Sequence, residues 1–306
     1  MTVRPAPLEV VAVDAPACAL GESPRWAHGA WWWVDAAAGV LWTCGPGLDD
    51  VREVVRTGRR MSVAHPAAGG RVLIAQDTDL LVLDPRSGAT TPWATVPLPP
   101  GHLLNDGSAD PAGRFWIGSV DPERRPGAGS LHVVETDGSV RRVAGGITLS
   151  NGMVWSGDAR LLHADSLERC LWEHEVDPRA GTVARSRRSI ELPPGPDADG
   201  PALPDGLALD VDGGVWVAMY GTHEAWRLVD GAVRDVVRVP TPQVTSVALG
   251  GPDGRDLLVT TAQEEMDDAA LAADPAAGRV FHARVRVPGV PVSLYGPTSA
   301  PGVTRT

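Results

Sequence analysis

Residues 71–84, RVLIAQDTDLLVLD, contain two short apolar runs separated by a polar turn. Runs of this length between turn residues are typical of the two strands of a β-hairpin. The same arrangement recurs along the chain, with first strands that start near residues 31, 71, 114, 160, 214 and 256. A repeat of about 40–50 residues that holds roughly four strands has the size of a propeller blade. The sequence therefore predicts an all-β fold, a six-bladed β-propeller whose four-stranded antiparallel blades surround a central channel.

Two β-sandwiches in tandem are the alternative arrangement of so many short strands. No linker and no shift of composition divides the chain, so we expect a single domain over residues 1–306. The ring of blades would span about residues 8–295 and be followed by a short flexible C-terminal tail. Leu8 to Asp14 is the candidate segment for closing the ring beside Val285, and residues 264–273 are the one weak helix candidate.

The charge and composition exclude several classes of protein. With 43% hydrophobic residues the chain can form a core, which disordered proteins cannot. A net charge of −11 argues against nucleic acid or an anionic membrane as a partner, because both attract basic surfaces. All 27 basic residues are arginines. We interpret three adjacent pairs of them as solvated surface: Arg59-Arg60, Arg124-Arg125 and Arg187-Arg188.

The cysteines and the apolar segments indicate a cytoplasmic protein. Cys18, Cys44 and Cys170 lack the spacing of a metal site and leave one cysteine unpaired, so we expect buried free thiols in a reducing compartment. No apolar run is long enough to span a bilayer. Residues 1–21 carry Glu9 and Asp14 within their apolar stretch, which makes them a poor signal peptide.

Three segments place a polar side chain where a hydrophobic strand would normally begin. They contain Glu22 in Gly21–Trp26, Asn151 in Ser150–Trp155 and Asp205 in Leu203–Asp210. In a closed propeller the innermost strands of all blades line one channel, so these residues would converge there. Two carboxylates and an amide oxygen suit a hard divalent cation. The alternative is structural, since Asn-Gly and Asp-Gly are common tight-turn dipeptides.

The segment from Leu104 to Pro111 is the densest in polar residues. The sequence has only two asparagines, and Asn105 and Asn151 are those two. Asn105 could present its amide to a hydroxylated ligand above the metal. An Asx turn capped by Asp106 is the alternative. No Gly-x-Ser-x-Gly nucleophile signature and no glycine-rich phosphate loop is present.

At these segments the chain resembles the SMP-30/gluconolactonase/LRE-like family, which includes regucalcin and bacterial sugar lactonases. Five of the family's motifs occur in order over about residues 8–295. They match Gly21–Trp26, Asn105–Gly118, Asn151–Ser166, Pro204–Trp216 and Val244–Ala262.

The resemblance implies a six-bladed propeller with one divalent metal in its channel. The implied ligands are Glu22, Asn151 and Asp205, with Ca²⁺ expected first and Zn²⁺, Mn²⁺, Mg²⁺ or Fe²⁺ as alternatives. Asn105 matches an asparagine near the metal and substrate, and Glu123 falls near a substrate-contacting acid. The family's sugar lactonases often carry Arg two residues before the motif Asn, whereas this chain has Leu103. Loss of that charged group predicts a less polar or smaller substrate.

The leading hypothesis is metal-dependent hydrolysis of a small sugar-derived or less polar lactone. The cation would polarise the carbonyl, and Asp205 or a metal-bound water would act as base or nucleophile. One alternative is a pathway-specific esterase or a ring-opening or rearranging enzyme on the same site, and another is a non-catalytic Ca²⁺-binding propeller. We expect a small-molecule substrate, no nucleic-acid or membrane partner, and a monomer or weak homodimer.

Overall fold

The structure is a computed structural model that describes residues 5–192 and 202–296. Its strands form six four-stranded antiparallel sheets, and in five of them the strands follow one another in chain order from the channel outward. The innermost strand of each sheet contacts those of its two neighbours, which closes a ring. The predicted six-bladed β-propeller is confirmed. The expected flexible tail falls on residues 297–306, outside the described residues.

The first three blades follow a short N-terminal strand, β1 (Val11–Ala12). The first blade contains β2 (Gly21–Ala27), β3 (Ala30–Asp35), β4 (Val40–Cys44) and β5 (Arg52–Arg56). The second contains β6 (Met61–Ala67), β7 (Arg71–Gln76), β8 (Asp79–Leu83) and β9 (Thr90–Thr95), with a 3-10 turn at Ala68–Gly70. The third contains β10 (Leu103–Ala109), β11 (Phe115–Val120), β12 (Gly129–Val134) and β13 (Val140–Ile147).

The remaining three blades include the one α-helix of the described residues. The fourth contains β14 (Ser150–Trp155), β15 (Arg160–Asp165), β16 (Cys170–Asp177) and β17 (Thr182–Glu191). The fifth contains β18 (Leu203–Leu209), β19 (Val215–Tyr220), β20 (Glu224–Val229) and β21 (Ala232–Arg238). The sixth contains β22 (Val244–Gly250), β23 (Asp256–Thr261) and β24 (Phe281–Arg284). Helix α1 (Asp268–Ala273) lies within the predicted helical stretch, and no described helix is long and apolar enough to cross a membrane.

The N-terminal segment closes the ring by completing the sixth blade. Strand β1 pairs antiparallel with β24, joining Val11 to His282 and Ala12 to Phe281. The segment therefore joins the last blade as expected, although its partners precede Val285. On the inner side, Thr245 Oγ1 donates a hydrogen bond to the carbonyl of Gly21 at 2.5 Å, which ties the sixth blade to the first.

The hydrophobic core lies between the blades. Six apolar clusters are found in the described residues, and each fills the interface between two neighbouring blades. The three cysteines are buried free thiols, as expected. The repeated Asp-x-x-Gly turns are structural: Asp110 accepts hydrogen bonds from the backbone N–H groups of Ala112 and Arg114 and from Trp116 Nε1.

Candidate metal centre

All six innermost strands are irregular at the same level of the channel. The pairing register shifts between Glu22 and Arg25 in β2, and an equivalent shift occurs in each of the other five blades. A β-bulge of this kind bends the strand and re-aims a side chain. The polar residues that flank or lie within these shifts include, in ring order, Glu22, Ser62, Asn105, Asp106, Asn151, Asp205 and Thr245.

The structure brings the three predicted metal ligands together at this level. The pKa of Asp205 lies well above its ordinary value because the carboxyl is buried and the Glu22 and Asp106 carboxylates repel its charge. Burial and the Asp106 charge likewise raise the pKa of Glu22 to about 8. Carboxylates crowded in this way are stabilised in their charged form by a bound cation.

Asp205 has an unpaired oxygen. Its Oδ1 atom is buried and has no hydrogen-bond partner among the described residues, whereas buried polar atoms are nearly always paired. The Glu22 carboxylate accepts only one described hydrogen bond, from the N–H of Ser23 at 3.2 Å. These oxygens are therefore available to a ligand.

Asn151 is held in one orientation by its neighbours. Its Nδ2 donates to Ser166 Oγ at 3.0 Å, and that hydroxyl donates in turn to the carbonyl of Pro204 at 2.6 Å. Because the Pro204 carbonyl can only accept, the Ser166 hydroxyl is committed to it, and Asn151 must present its amide nitrogen to Ser166. The amide oxygen of Asn151 therefore faces the opposite way, towards the Nδ2 of Asn105 at 3.2 Å.

Asn105 lies beside Asn151, one of the candidate ligands. Its Nδ2 donates to the carbonyl of Ser150 at 2.9 Å as well as to Asn151. Its Oδ1 accepts a hydrogen bond from Arg60 Nη2 at 3.2 Å. Arg60 therefore enters the channel mouth, and the prediction that the Arg59-Arg60 pair is solvated surface was wrong for its second member. Nothing in the local sequence distinguishes the two arginines.

A buried ion pair that the sequence did not suggest lies next to this site. Arg25 Nη2 is 3.4 Å from Asp106 Oδ1 and donates to the carbonyl of Gly107 at 3.1 Å, and both charged side chains are almost fully buried. Arg25 also lines a mainly apolar cavity of about 360 Å³, together with later residues of the innermost strands such as Trp26 and Leu207. The apolar cavity is therefore lined by residues that follow the candidate ligands by two to four positions on the same strands.

The turn interpretation of the Asn-Gly and Asp-Gly pairs was wrong. Asn151 and Asp205 lie within strands β14 and β18, and Gly152 and Gly206 do not have a positive φ. These glycines are required by close packing between blades. A Cβ atom on Gly152 would lie 2.5 Å from the N atom of Leu207 and 2.6 Å from the carbonyl oxygen of Asp205.

The donor set fits a hard divalent cation. No group of three or more His, Cys, Asp or Glu side chains is arranged to hold a metal in the described residues, and the candidate set instead combines two carboxylates with an amide. Carboxylate and amide oxygens are the ligands that Ca²⁺ and similar cations take, with water at the remaining positions. The unpaired Asp205 oxygen and the fixed Asn151 amide are the observations that support this fit.

The profile of the SMP-30/Gluconolactonase/LRE-like region matches residues 20–263. The chain belongs to this family. Its relatives include the L-arabinolactonase of Azospirillum brasilense, which is 34% identical over 286 residues, 91% of this chain and 93% of the relative. The 6-deoxy-6-sulfogluconolactonase of Pseudomonas putida is 31% identical over 283 residues, 90% and 94% of the two chains.

A solved family member has the same architecture. The crystal structure of the calcium-binding protein regucalcin from Agrobacterium tumefaciens matches with a TM-score of 0.85 and 28% identity. The match covers 95% of this chain and 99% of regucalcin. The SMP-30/gluconolactonase fold therefore extends over nearly the whole described chain.

Two further positions, predicted as substrate contacts from the SMP-30/gluconolactonase family, have no described contact with the candidate metal ligands. Glu123 lies on an exposed loop, 3.5 Å from Arg125, and no described contact joins it to the other site residues. Leu103 begins β10, where it pairs with Val120. Their roles as substrate contacts stay predictions.

Proposed function

We propose that this protein is a divalent-metal-dependent lactone hydrolase. The observation that carries the proposal is the pair of buried carboxylates, Glu22 and Asp205, with an unpaired oxygen on Asp205. Two relatives that match over nine-tenths of this chain are named as lactonases of sugar acids. We therefore assign the protein a small sugar-derived lactone as its substrate class.

Glu22, Asn151 and Asp205 would hold the cation. When bound, the cation polarises the lactone carbonyl and stabilises the negative charge that develops on its oxygen. The name of the regucalcin structure, a calcium-binding protein, supports Ca²⁺ first, with Zn²⁺, Mn²⁺, Mg²⁺ or Fe²⁺ as the other candidates.

Asp205 is the proposed general base. Its carboxyl is buried at the candidate site and has one oxygen without a hydrogen-bond partner among the described residues, so this oxygen is free to accept a proton from a bound water. It would take a proton from the water whose oxygen attacks the lactone carbonyl carbon. As the carbonyl carbon–ring oxygen bond breaks, the same carboxyl would return the proton to the departing ring oxygen. The lactone and one water give a single product, the hydroxy acid, so atoms and charge balance.

Two other functions use the same residues. Leu103, which replaces an arginine common in the family's sugar lactonases, favours an esterase or a ring-opening or rearranging enzyme for a less polar substrate. A non-catalytic Ca²⁺-binding propeller is favoured by the calcium-binding description of regucalcin. Turnover of a panel of lactones and esters separates these two functions from the proposed lactonase. The esterase or ring-opening enzyme would prefer apolar substrates, and the Ca²⁺-binding propeller would bind Ca²⁺ without turning over any of them.

The test combines metal analysis with lactone turnover in Asp205→Asn and Glu22→Gln. Both variants should lose stoichiometric cation and at least about 100-fold in kcat/KM, because each removes a carboxylate that binds the cation. Glu173→Gln is the matched control: Glu173 is a buried carboxylate outside the channel that pairs with Arg187 at 2.7 Å, and its variant should retain both properties. Full metal content and turnover in Asp205→Asn would refute the assignment.

A further inference from the structure

Arg59 and Arg60 are chemically identical neighbours with different surroundings. Arg59 lies at the surface, where its Nη2 is 2.8 Å from Asp77 and 3.3 Å from Asp79. Arg60 is half-buried, and its Nη2 donates to the Oδ1 of Asn105. The loop before β6 therefore directs one guanidinium to surface carboxylates and the next one into the mouth of the channel.

The Arg60 guanidinium has unused hydrogen-bonding capacity. No carboxylate of the described residues lies within 4.0 Å of it, although its neighbour Arg59 pairs with two. Its Nε is buried and has no hydrogen-bond partner within the part of the chain that the structure describes. A guanidinium has five N–H donors in a planar fork, and the bond to Asn105 is the one described here.

Arg60 also lies close to the proposed metal ligands. Asn105, which accepts its hydrogen bond, in turn donates to Asn151. Burial and the Asp106 charge raise the pKa of Glu22, and the positive charge of Arg60 opposes that rise. A ligand bound at the candidate site would therefore lie next to an arginine that has no anionic partner among the described residues.

We propose that Arg60 is a specificity-determining residue that binds a carboxylate on the substrate, so that the preferred lactone is one that carries an acid group. This inference rests on the proposed lactone hydrolysis. The planar fork of arginine matches a carboxylate in a bidentate pair. Asn105 holds the fork in place, and its Oδ1 is committed to doing so because its Nδ2 already serves Ser150 and Asn151.

This proposal predicts a different substrate from the less polar one that Leu103 suggests. Leu103 cannot supply a charged group from the third blade, but Arg60 supplies one from the second blade and meets the same asparagine, two residues after Leu103. The site therefore retains a guanidinium, brought in by a different blade. Its charge selects for an anionic group rather than for an apolar one.

A matched pair of lactones tests the proposal. D-Glucono-1,4-lactone and D-glucaro-1,4-lactone share a ring and differ at C6, where the second bears a carboxylate. The wild-type protein should prefer the glucarolactone. In Arg60→Met the ratio of the two kcat/KM values should fall by about 10- to 100-fold, the range expected for a lost charge-assisted bond, and mainly through KM. Arg60→Lys keeps the positive charge but lacks the planar fork, so its ratio should lie between those of the wild type and Arg60→Met.

Arg59→Met is the matched control and should leave the ratio unchanged. A ratio in Arg60→Met within twofold of the wild type would overturn the proposal while leaving lactone hydrolysis intact. Calorimetric titration with glucarate and with gluconate gives a readout without turnover, and Arg60→Met should weaken glucarate selectively. If the wild type opens neither lactone, the proposed function fails. In that case, glucarate binding that is tighter than gluconate binding and depends on Arg60 would still support the carboxylate subsite. Equal binding of glucarate and gluconate, or a preference that Arg60→Met leaves unchanged, would refute the subsite.

Discussion

Replacing Ser166 by alanine tests whether a hydrogen-bonded chain prepares the metal centre. Ser166 is 2% exposed, accepts from Asn151 Nδ2 and donates to the carbonyl of Pro204. The variant leaves both partners without this hydroxyl. Each unpaired buried group costs about 1–3 kcal/mol, so we expect the free energy of unfolding to fall by about 2–6 kcal/mol.

The same change should weaken cation binding by more than the loss of stability alone would suggest. Without Ser166 the Asn151 amide loses the contact that fixes its orientation, and its oxygen no longer faces the channel in every molecule. Loss of an outer hydrogen bond of this kind typically costs 10- to 100-fold in metal affinity, so we expect a loss of about that size. Calorimetric titration of chelator-treated protein with Ca²⁺ measures the dissociation constant, and urea unfolding measures the stability.

Ser130→Ala is the control for Ser166→Ala. Ser130 is also buried, and its hydroxyl lies 3.0 Å from Ser119 Oγ in the third blade, with no described contact to the candidate ligands. The Ser130→Ala protein should lose stability but keep the wild-type affinity for Ca²⁺. A Ser166→Ala protein whose Ca²⁺ dissociation constant stays within twofold of the wild type would show that Asn151 needs no such support, or that it is not a ligand.

Two other predictions concern charge and packing. Burial raises the pKa of Glu22 from its ordinary value of 4.5 to about 8 in the cation-free fold. Between these two pH values the folded state binds a proton that the unfolded state has lost, so stability should fall as the pH rises through this window. In chelator-treated protein, Glu22→Gln should therefore gain stability relative to the wild type as the pH rises from about 5 to about 8.5, and a difference in stability that stays constant over this range would contradict the prediction. Gly152→Ala places a Cβ 2.5 Å from the Leu207 nitrogen and so forces the two blades apart. We expect the free energy of unfolding, measured in urea, to fall by about 1–3 kcal/mol. Unaltered stability would mean that the blades do not pack as closely as described.

The strands and their grouping were predictable because their signals are local. Each of the predicted hairpins is present, including Arg71–Gln76 with Asp79–Leu83, since short apolar runs and turn residues act on neighbouring positions. The spacing of the repeats predicted the number of blades. The three candidate ligands were identified because polar residues replaced apolar ones at the start of inner strands.

The same local reasoning was wrong where packing overrides the preference of a dipeptide. Asn-Gly and Asp-Gly pairs commonly form turns, yet Asn151-Gly152 and Asp205-Gly206 lie in strands. Neighbouring blades approach these glycines so closely that any side chain would clash. The bulges at this level then aim the preceding Asn and Asp side chains, an outcome that no property of the dipeptide itself encodes.

The amino-acid sequence by itself determined the all-β architecture, the six repeats and the residues suited to hold a cation, because periodicity and residue chemistry are properties of the chain. Only the tertiary structure decided which charges meet. Arg25 reaches Asp106 across 81 residues, and Arg60 reaches Asn105 while the adjacent Arg59 pairs at the surface. Two identical side chains in succession carry no signal that separates them. Their roles differ because the turn between β7 and β8 places carboxylates beside Arg59, whereas the packing of the third blade on the second places Asn105 beside Arg60.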